Sequence, residues 1–398
     1  MANQDQDICL VHAWLDGDYI PAGKLRLTAG QAEFWYGNHF LEKGYALDPL
    51  RLPLTRKVFQ SDRLQGALGA LGDALPDSWG RYLIKRRYGQ TLTDLDILTL
   101  DSSNERMGAL RFSRSFETPP PPEAHTHEWM EHFETWLNDN SAPLPDHIEV
   151  GSSAGGAKPK CLVDYEERKW MAKFRAADDV LEKPFVEHGT LRLAEACGIP
   201  VPDSKVLQLP SGRYALLIER FDREKRTCVH YISGKTLCGV LNDDRGLVTN
   251  DTRSYLILAD NIAKVSDSPG ADRLDLFRRA AFNILVNNHD DHPKNHGMIR
   301  AIDGTWRLSK AFDLVAGEGD SRDMAMAVGP AGNRATLSNL LRGSPSFALK
   351  MDAARDEIAA MIGKLAGWRE CFSEAGVPER TINDITWAIQ EKADVPRD

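Results

Sequence analysis

The segment 287–296 concentrates reactive side chains: its ten residues hold two acids, three histidines, a lysine and three carboxamides. It directly follows the apolar segment 280–286. So many polar groups at the end of a core-facing element are unusual unless chemistry takes place there. An aspartate can accept a proton from a hydroxyl, a carboxamide oxygen can bind a metal ion, and a lysine can neutralise developing negative charge. Together these groups suit phosphoryl transfer.

The spacing within this segment sharpens that prediction. Asp290 and Asn295 stand five residues apart with Lys294 between them, and protein kinases place an aspartate base and a magnesium-binding asparagine at this separation. Asp313 follows Asn295 by eighteen residues, among apolar neighbours, in the position of a second metal ligand. We therefore predict Asp290 as the base, Lys294 as an electrostatic helper and His292 as a residue that shapes the loop. Asn295 and Asp313 are the predicted Mg²⁺ ligands.

Two other interpretations of the segment stay open at this point. A polar stretch after a helix is often only its solvated C-terminal cap. A nest of imidazole and carboxylate ligands would instead indicate a metal-dependent phosphohydrolase. The residues available for such a nest are His289, Asp290, His292 and His296. That interpretation lacks a second separated histidine cluster, because the other close pair, at 125 and 127, lies beside a proline run.

Upstream features suit nucleotide binding. Residues 151–160 are small, flexible and basic, and backbone amides in such a loop can cradle phosphates, although the segment is not a Walker A sequence. Lys173 alternates with apolar residues in a predicted strand, like the lysine that pairs with nucleotide phosphates in kinases, and Glu187 is its candidate ion-pair partner. The segment 214–223 runs from a buried strand into a charged turn, where Phe221 could line a purine pocket. Each feature alone also fits an ordinary loop, edge-strand lysine or strand end.

Composition narrows the classes of protein. The net charge of −9 argues against a chain that coats nucleic acid by itself. The six cysteines are scattered without zinc spacing or close pairs, which favours reduced thiols. The polar N-terminus shows no signal peptide, and no apolar run is long enough to span a membrane. We therefore expect a cytoplasmic protein that does not bind membranes.

The order of predicted elements indicates the fold class. Short strands dominate up to about residue 113, hairpins are predicted over 161–174 and 205–219, and helices follow over 252–264, 272–288, 351–366 and 379–392. Strands first and helices later predict an α+β fold. Pro119–Pro122 marks a boundary. The predicted organisation is an N-terminal subdomain at 1–118, a linker and connecting helix at 119–149, a β-rich nucleotide-binding lobe at 150–223 and a helical catalytic lobe at 224–398.

Taken in order, these pieces resemble the HipA family of serine/threonine kinase toxins from bacterial toxin–antitoxin modules. The most specific part is Asp290–Asn295 followed by Phe312-Asp313. Leu15-Asp16-Gly17, Ile20–Gly23, Phe34-Trp35-Tyr36 and Leu52-Pro53-Leu54 resemble the N-terminal subdomain of that family. The resemblance implies an α+β, two-lobed protein-kinase-like fold, with a β-rich lobe, a helical lobe and an N-terminal accessory subdomain.

The resemblance also implies roles for individual residues. Asp290 would be the catalytic base, and Lys173 would contact the phosphates of ATP. Glu219 and Phe221 would hold adenine, and the loop from Ser152 to Lys160 would be a mobile phosphate loop. Ser153 matches the autophosphorylated serine, with Ser152 as the substitute. The implied nucleotide-binding set is Ser153, Ala154, Gly155, Gly156, Lys160, Lys173, Glu219, Phe221, Asn295 and Asp313. Asp291 departs from the family, where a smaller residue is common, so two adjacent acids compete for the role of base.

The implied activity is that of an ATP- and Mg²⁺-dependent serine/threonine protein kinase acting as a toxin. By resemblance, its protein substrate could be an aminoacyl-tRNA synthetase, and a HipB-like helix-turn-helix antitoxin would bind it, with DNA contacted only through that antitoxin. Two other activities remain open: a phosphotransferase for small molecules, of the aminoglycoside-kinase or lipid-kinase type, and an inactive kinase-like scaffold that only binds partners.

Overall fold

The computed structural model describes residues 7–28, 30–64, 68–89, 91–100, 106–115, 117, 129–138, 144, 158–175, 181–225, 227–240, 252–318, 322–389 and 394–396. These residues divide into two compact units. The first contains residues 1–172, 220–249 and 299–304, and the second contains 173–219, 250–298 and 305–398. None of the helices in the described ranges combines the length and apolar character needed to cross a membrane.

The first unit is built on a five-stranded antiparallel sheet, with strands β1 (Ile8–Leu15), β2 (Asp18–Thr28), β3 (Gln31–Tyr36), β4 (Phe59–Ser61) and β5 (Leu110–Ser113). The strand order is β4-β3-β2-β1-β5. The β1–β2 hairpin turns at Asp16 and Gly17, which have φ angles of 51° and 95°. Aspartate and glycine tolerate this left-handed backbone better than other residues, which explains why the hairpin turns there.

Short helices and further strands complete the first unit. Its helices are α1 (Asn38–Lys43), α2 (Gly69–Gly72), α3 (Ser78–Tyr88), α4 (Asp94–Leu98), α5 (Trp129–Asn138) and α7 (Gly234–Cys238). Its strands include β6 (Lys160–Tyr165), most of β7 (Arg168–Phe174), β10 (Arg223–Glu224), β11 (Thr227–Cys228) and β12 (His230–Ser233). The turn between β6 and β7 places Glu166 and Glu167 at positive φ, as a tight hairpin requires.

The second unit is mainly helical. Its helices are α6 (Lys183–Ala196), α8 (Tyr255–Val265), α9 (Pro269–Leu285), α10 (Leu337–Arg342), α11 (Met351–Leu365), α12 (Trp368–Glu374) and α13 (Glu379–Asp384). It also holds β8 (Ser204–Gln208), paired antiparallel with β9 (Tyr214–Glu219), and β14 (Trp306–Leu308). The strand β13 (Gly297–Arg300) begins in it. The long helix α9 is buried along Ala280–Leu285, and it ends directly before the polar segment 287–296.

The mixture of strands and helices confirms the predicted α+β class. The helices predicted over 252–264 and 272–288 are shifted by up to three residues at their ends. Another predicted helix is much too long. The helix expected over 379–392 ends at Asp384, and a 3₁₀ turn follows at Thr386–Ala388. The hydroxyl of Thr386 donates to the carbonyl of Ile382 at 3.2 Å, and such side-chain bonds compete with the helical backbone ladder.

Candidate functional site

Lys173, near the end of β7, lies between two carboxylates. Its ammonium nitrogen is 2.6 Å from Oε1 of Glu187 and 2.6 Å from Oδ1 of Asp313. Glu187 is a buried residue of α6, whose start is favoured by Pro184 in its first turn. The ion pair considered from sequence between Lys173 and Glu187 is therefore formed, and the same lysine contacts the predicted metal ligand Asp313.

The two carboxylates determine the charge of this lysine. Burial by itself would lower the pKa of the Lys173 ammonium, but Asp313 and Glu187 outweigh burial and raise that pKa above its usual range. Lys173 therefore carries a positive charge at neutral pH. A fixed cation beside a carboxylate that can bind a metal suits a site for an anionic, metal-bound ligand.

Asp313 lies in an irregular segment with an unusual backbone. Its φ angle is 59°, in the left-handed region that non-glycine residues seldom occupy and that costs on the order of 1 kcal/mol. Its side chain is 41% exposed. The segment is held against the polar loop by backbone hydrogen bonds from Gly317 to Val286 at 3.0 Å and from His289 to Glu318 at 2.8 Å. These bonds make the segment of Asp313 a neighbour of the loop that contains Asn295, the other predicted metal ligand.

The polar loop presents its predicted residues differently. Asp290 is exposed, and its carboxylate makes no hydrogen bond with the described residues. Asn295, in a 3₁₀ turn over Pro293–Asn295, is only 6% exposed, yet its side-chain amide also makes no hydrogen bond there. Lys294 and His292 are partly buried. The loop therefore offers a solvent-facing carboxylate for proton transfer and, five residues on, a buried amide with an unused oxygen.

The donors fit the metal that was predicted. Mg²⁺ prefers oxygen ligands, and it is often held by one or two carboxylates together with phosphate oxygens and water. The unused amide oxygen of Asn295 and the carboxylate of Asp313 are ligands of this kind. The alternative nest of histidines and acids does not assemble, since the described part of the chain contains no group of three or more His, Cys, Asp or Glu placed to hold a metal.

Asp291, whose role the sequence left open, points away from solvent. It is 0% exposed, and its Oδ2 accepts hydrogen bonds from the hydroxyl of Tyr255 and from Nε2 of His296, the latter at 2.8 Å. Burial would raise the pKa of Asp291, but His296 and Tyr255 hold it below its ordinary value. A buried, hydrogen-bonded carboxylate cannot reach a substrate, whereas Asp290 beside it can.

The sequence did not predict the partners of Asp291. Tyr255 at the start of α8 and Asn283 in α9 are both 0% exposed. Nδ2 of Asn283 donates to the Tyr255 hydroxyl at 3.1 Å, and Nδ2 of Asn288 donates to Oδ1 of Asn283 at 3.0 Å. An asparagine within the apolar stretch that ends α9 was the one available signal, because a buried amide requires partners.

The remaining predicted nucleotide-binding residues are spread over the chain. Glu219 ends β9 in the second unit, and its backbone amide donates to Asp203 at 2.8 Å. In the first unit, the carbonyl of Lys160 accepts from Nε1 of Trp79 at 3.1 Å, and the ring of Phe221 lies 6.2 Å from that of Tyr231. Five predicted residues lie outside the described residues: Ser152, Ser153, Ala154, Gly155 and Gly156.

Comparison with known proteins identifies two family domains in succession along the chain. The HipA N-terminal domain family matches residues 11–113, and the HipA-like C-terminal domain family matches residues 152–369. A protein of Haemophilus influenzae named as a putative kinase is 25% identical over 185 residues, which are 42% of this chain and 53% of that protein. The putative kinase Y4mE of Sinorhizobium fredii is 29% identical over 157 residues, 38% of this chain and 36% of its own length.

The fold has a solved counterpart. The HipA of Shewanella oneidensis, solved with HipB and operator DNA, is 19% identical, with a TM-score of 0.70 over 96% of this chain and 95% of that one. This likeness confirms the predicted two-lobed, protein-kinase-like fold. The C-terminal family match alone covers more than half of the sequence, and the N-terminal match precedes it in order. The chain therefore belongs to the HipA family.

Proposed function

We propose that this chain is an ATP- and Mg²⁺-dependent serine/threonine protein kinase that acts as a HipA-like toxin. The observation that carries the proposal is the position of Lys173, 2.6 Å from both Glu187 and Asp313. A strand lysine paired with a helix glutamate is a requirement of the kinase site. Here the same lysine also contacts the predicted metal ligand, whose segment is hydrogen-bonded to the loop of Asp290 and Asn295.

In the proposed reaction Asp290 acts as the general base. Its exposed carboxylate accepts the proton of a serine or threonine hydroxyl while that oxygen attacks the γ-phosphorus of ATP. The bond between the γ-phosphorus and the bridging oxygen breaks, and ADP leaves with that electron pair. Lys294, four residues further along the loop, lies on the same segment and supplies positive charge for the transferred group. His292 keeps its predicted role of shaping the loop.

The nucleotide end of the site requires cations. The Lys173 ammonium neutralises phosphate oxygens of ATP, and Glu187 holds the lysine in place. The amide of Asn295 and the carboxylate of Asp313 would hold Mg²⁺, which when bound would shield the phosphate charge. Because Lys173 and Asp313 form an ion pair in this structure, bound nucleotide and metal would compete with each residue's contact to the other. Glu219 and Phe221 are the proposed adenine contacts, with Lys160 at the end of the phosphate loop.

Autophosphorylation is proposed for Ser153, with Ser152 as the substitute. A phosphoserine carries a charge of about −1.5 to −2 near neutral pH. In a loop that must approach ATP, this charge would be repelled by the nucleotide phosphates and would hold the loop out of the site. The modification would therefore switch the kinase off.

The partners are proposed from the family. The related HipA of Shewanella oneidensis was solved with HipB and operator DNA. By analogy, a HipB-like helix-turn-helix antitoxin would bind this chain and would make the DNA contacts, which agrees with the net charge of −9 on the kinase. The proposed location is the cytoplasm, and the proposed substrate is a cellular protein, with aminoacyl-tRNA synthetases as the first class to examine.

The decisive experiment is incubation of the full chain with Mg²⁺ and ATP labelled on the γ-phosphate, followed by phosphosite mapping. We expect label on Ser153 or Ser152, and its loss in Asp290→Asn. Asp260→Asn is the matched control, because Asp260 is an exposed acid on α8 of the same unit. Label that persists in Asp290→Asn would contradict the assignment of the base.

Other outcomes would support the other activities. Transfer to a small alcohol or amine without protein labelling would identify a small-molecule phosphotransferase. Tight binding of an antitoxin without any transfer would identify an inactive scaffold. Metal-dependent hydrolysis of phosphoesters without ATP would instead identify a phosphohydrolase.

A further inference from the structure

The two adjacent acids of the polar loop face opposite environments. Asp290 is exposed, whereas Asp291 is 0% exposed and holds two hydrogen bonds. The proposed mechanism uses Asp290 and leaves Asp291 without a chemical role. Burying a carboxylate is costly unless it is fully paired, and Oδ1 of Asp291 has no hydrogen-bond partner. An apolar side chain would fill this position at lower cost, so the acid requires an explanation other than stability.

The hydrogen bonds around Asp291 connect three elements. Tyr255 opens α8, Asn283 lies in the last turn of α9, and His296 follows the 3₁₀ turn of the loop. Oδ2 of Asp291 joins the first and the last of these, and Asn283 donates to the Tyr255 hydroxyl at 3.1 Å. The rings of Tyr255 and His296 also meet edge to face, with centroids 5.4 Å apart. We call Tyr255, Asn283, Asn288, Asp291 and His296 the anchor network.

The anchor network brackets the functional residues in sequence. Asn288 lies two residues before Asp290, and Asp291 lies directly after it. His296 directly follows Asn295. Asn288 is 2% exposed and is tied to Asn283 by both its side chain and its backbone amide, at 3.0 and 2.9 Å. The loop is thus fixed to helices on each side of the base and immediately after the metal ligand.

We propose that the anchor network positions the loop, so that the separation of the Asp290 carboxylate from the Asn295 amide is set by Tyr255, Asp291 and His296. This inference rests on the proposed function, because it assigns these residues to the same site. All three are buried, with at most 2% of each residue exposed, so the role proposed for them is to position the loop. A displacement of about 1 Å at a reacting group is enough to reduce a rate by about 100-fold. Mutation of residues that support a metal ligand typically lowers metal affinity or activity by about 10- to 100-fold.

The test compares two hydroxyl deletions at opposite ends of α8 in the full chain. Tyr255→Phe removes the donor to Asp291 and keeps the ring. Ser266→Ala is the matched control, since its hydroxyl donates to the buried Asp272 at 2.6 Å near the start of α9. We expect Tyr255→Phe to lower kcat, measured at saturating ATP and Mg²⁺, by about 10-fold or more, and Ser266→Ala to leave kcat unchanged. Unchanged kcat in Tyr255→Phe, with a melting temperature lowered as in the control, would overturn the proposal.

Conservative replacement adds a graded readout. Asp291→Asn keeps an oxygen that accepts from Tyr255, whereas Asp291→Leu removes it, so the asparagine variant should retain the higher kcat. Equal kcat in both variants and in the wild type would overturn the positioning role.

A metal readout separates this proposal from the kinase activity itself. Mn²⁺ binding in the presence of ATP, followed by electron paramagnetic resonance, should weaken by about 10-fold in Tyr255→Phe and stay unchanged in Ser266→Ala. If the wild type binds Mn²⁺ and ATP but transfers no phosphoryl group, the proposed function fails and the positioning of Asn295 is still measured. Equal Mn²⁺ affinities in all three proteins would overturn the anchor network, and absence of binding in the wild type would overturn both proposals.

Discussion

Two buried aspartates, one in each unit, are held in different ways. Oδ1 of Asp222 in the first unit accepts from Nε of Arg220 at 3.0 Å. Oδ2 of the same residue accepts from Arg220 at 2.8 Å, from Arg223 at 2.8 Å and from the amide of Gly108 at 2.6 Å. Asp291 in the second unit has only a phenol and an imidazole on Oδ2 and nothing on Oδ1.

The difference separates a structural cluster from a positioning cluster. Burial would raise the pKa of Asp222, but Arg220 and Arg223 hold it below its ordinary value. Both guanidiniums are permanently charged, so this cluster is saturated and ties Arg106 and Gly108 to the chain around residue 222. Asp291 is less completely paired, and it lies beside residues with proposed chemistry. A buried charge whose hydrogen bonds are all formed indicates a structural role. One that lacks a hydrogen-bond partner is a candidate for a functional role.

Removing the carboxylate of Asp222 should produce the largest loss of stability. Asp222→Ala leaves the buried guanidiniums of Arg220 and Arg223 without their counter-charge, so the free energy of unfolding should fall by about 3–5 kcal/mol. Urea unfolding measures this change. Asp94→Ala is the control, because its ion pair with Arg81 at 2.9 Å is exposed and should contribute about 0–1 kcal/mol. Similar losses in the two variants would remove the contrast between the clusters.

Acidification should weaken the first unit through His230. Burial lowers the pKa of His230 from its ordinary value of 6.5 to about 4. Between these values the unfolded chain binds a proton that the folded protein does not, so this contribution to stability is present above pH 6.5 and is lost as the pH falls toward 4. Over that window the free energy of unfolding should fall by about 3 kcal/mol from this residue.

Urea unfolding between about pH 7 and pH 4 tests that dependence. His230→Gln keeps a donor for the carbonyl of Leu47, which His230 contacts at 2.8 Å, and it removes the titration. The pH dependence should therefore flatten in this variant. A wild-type slope that persists in His230→Gln would show that other groups cause the acid sensitivity.

Of the three buried groups compared, Asp291 of the anchor network should show the smallest effect on stability. Asp291→Asn still accepts a hydrogen bond from Tyr255 and leaves no arginine unpaired, so the free energy of unfolding should fall by about 1–2 kcal/mol. Urea unfolding measures it beside Asp260→Asn, which changes an exposed acid. A loss as large as that of Asp222→Ala would show that Asp291 is a structural residue after all.

Elements that depend on neighbouring residues in the chain can be predicted from local sequence. The Asp16-Gly17 turn is predictable because few residues tolerate positive φ. Helix α11 was readable from its apolar period, and it spans Met351–Leu365 against a predicted 351–366. The end of α13 could not be predicted from local sequence, because it depends on the Thr386 hydroxyl. That hydroxyl also accepts a hydrogen bond at 2.7 Å from Arg369, which lies seventeen residues earlier in the chain.

The candidate site was predictable only in part, for a similar reason. Spacing alone identified Asp290, Asn295 and Asp313 as candidates, and strand alternation identified Lys173. Tyr255 was missed because nothing in its local sequence distinguishes it from other core residues of an amphipathic helix, and the polar Asn283 did not indicate which residues it contacts. The positive φ of Asp313 also could not be predicted from the sequence, since it follows from how this segment packs against the polar loop.

The sequence by itself determined the inventory of groups, their order and the family resemblance that the domain matches confirmed. These properties lie along the chain, where spacing and residue type are complete information. Only the tertiary structure distinguished the two adjacent acids, since Asp290 and Asp291 are identical in kind and differ only in the environment that the loop gives each side chain. Tyr255 and His296 bind Asp291 in the interior, and Asp290 faces solvent, as the proposed base requires.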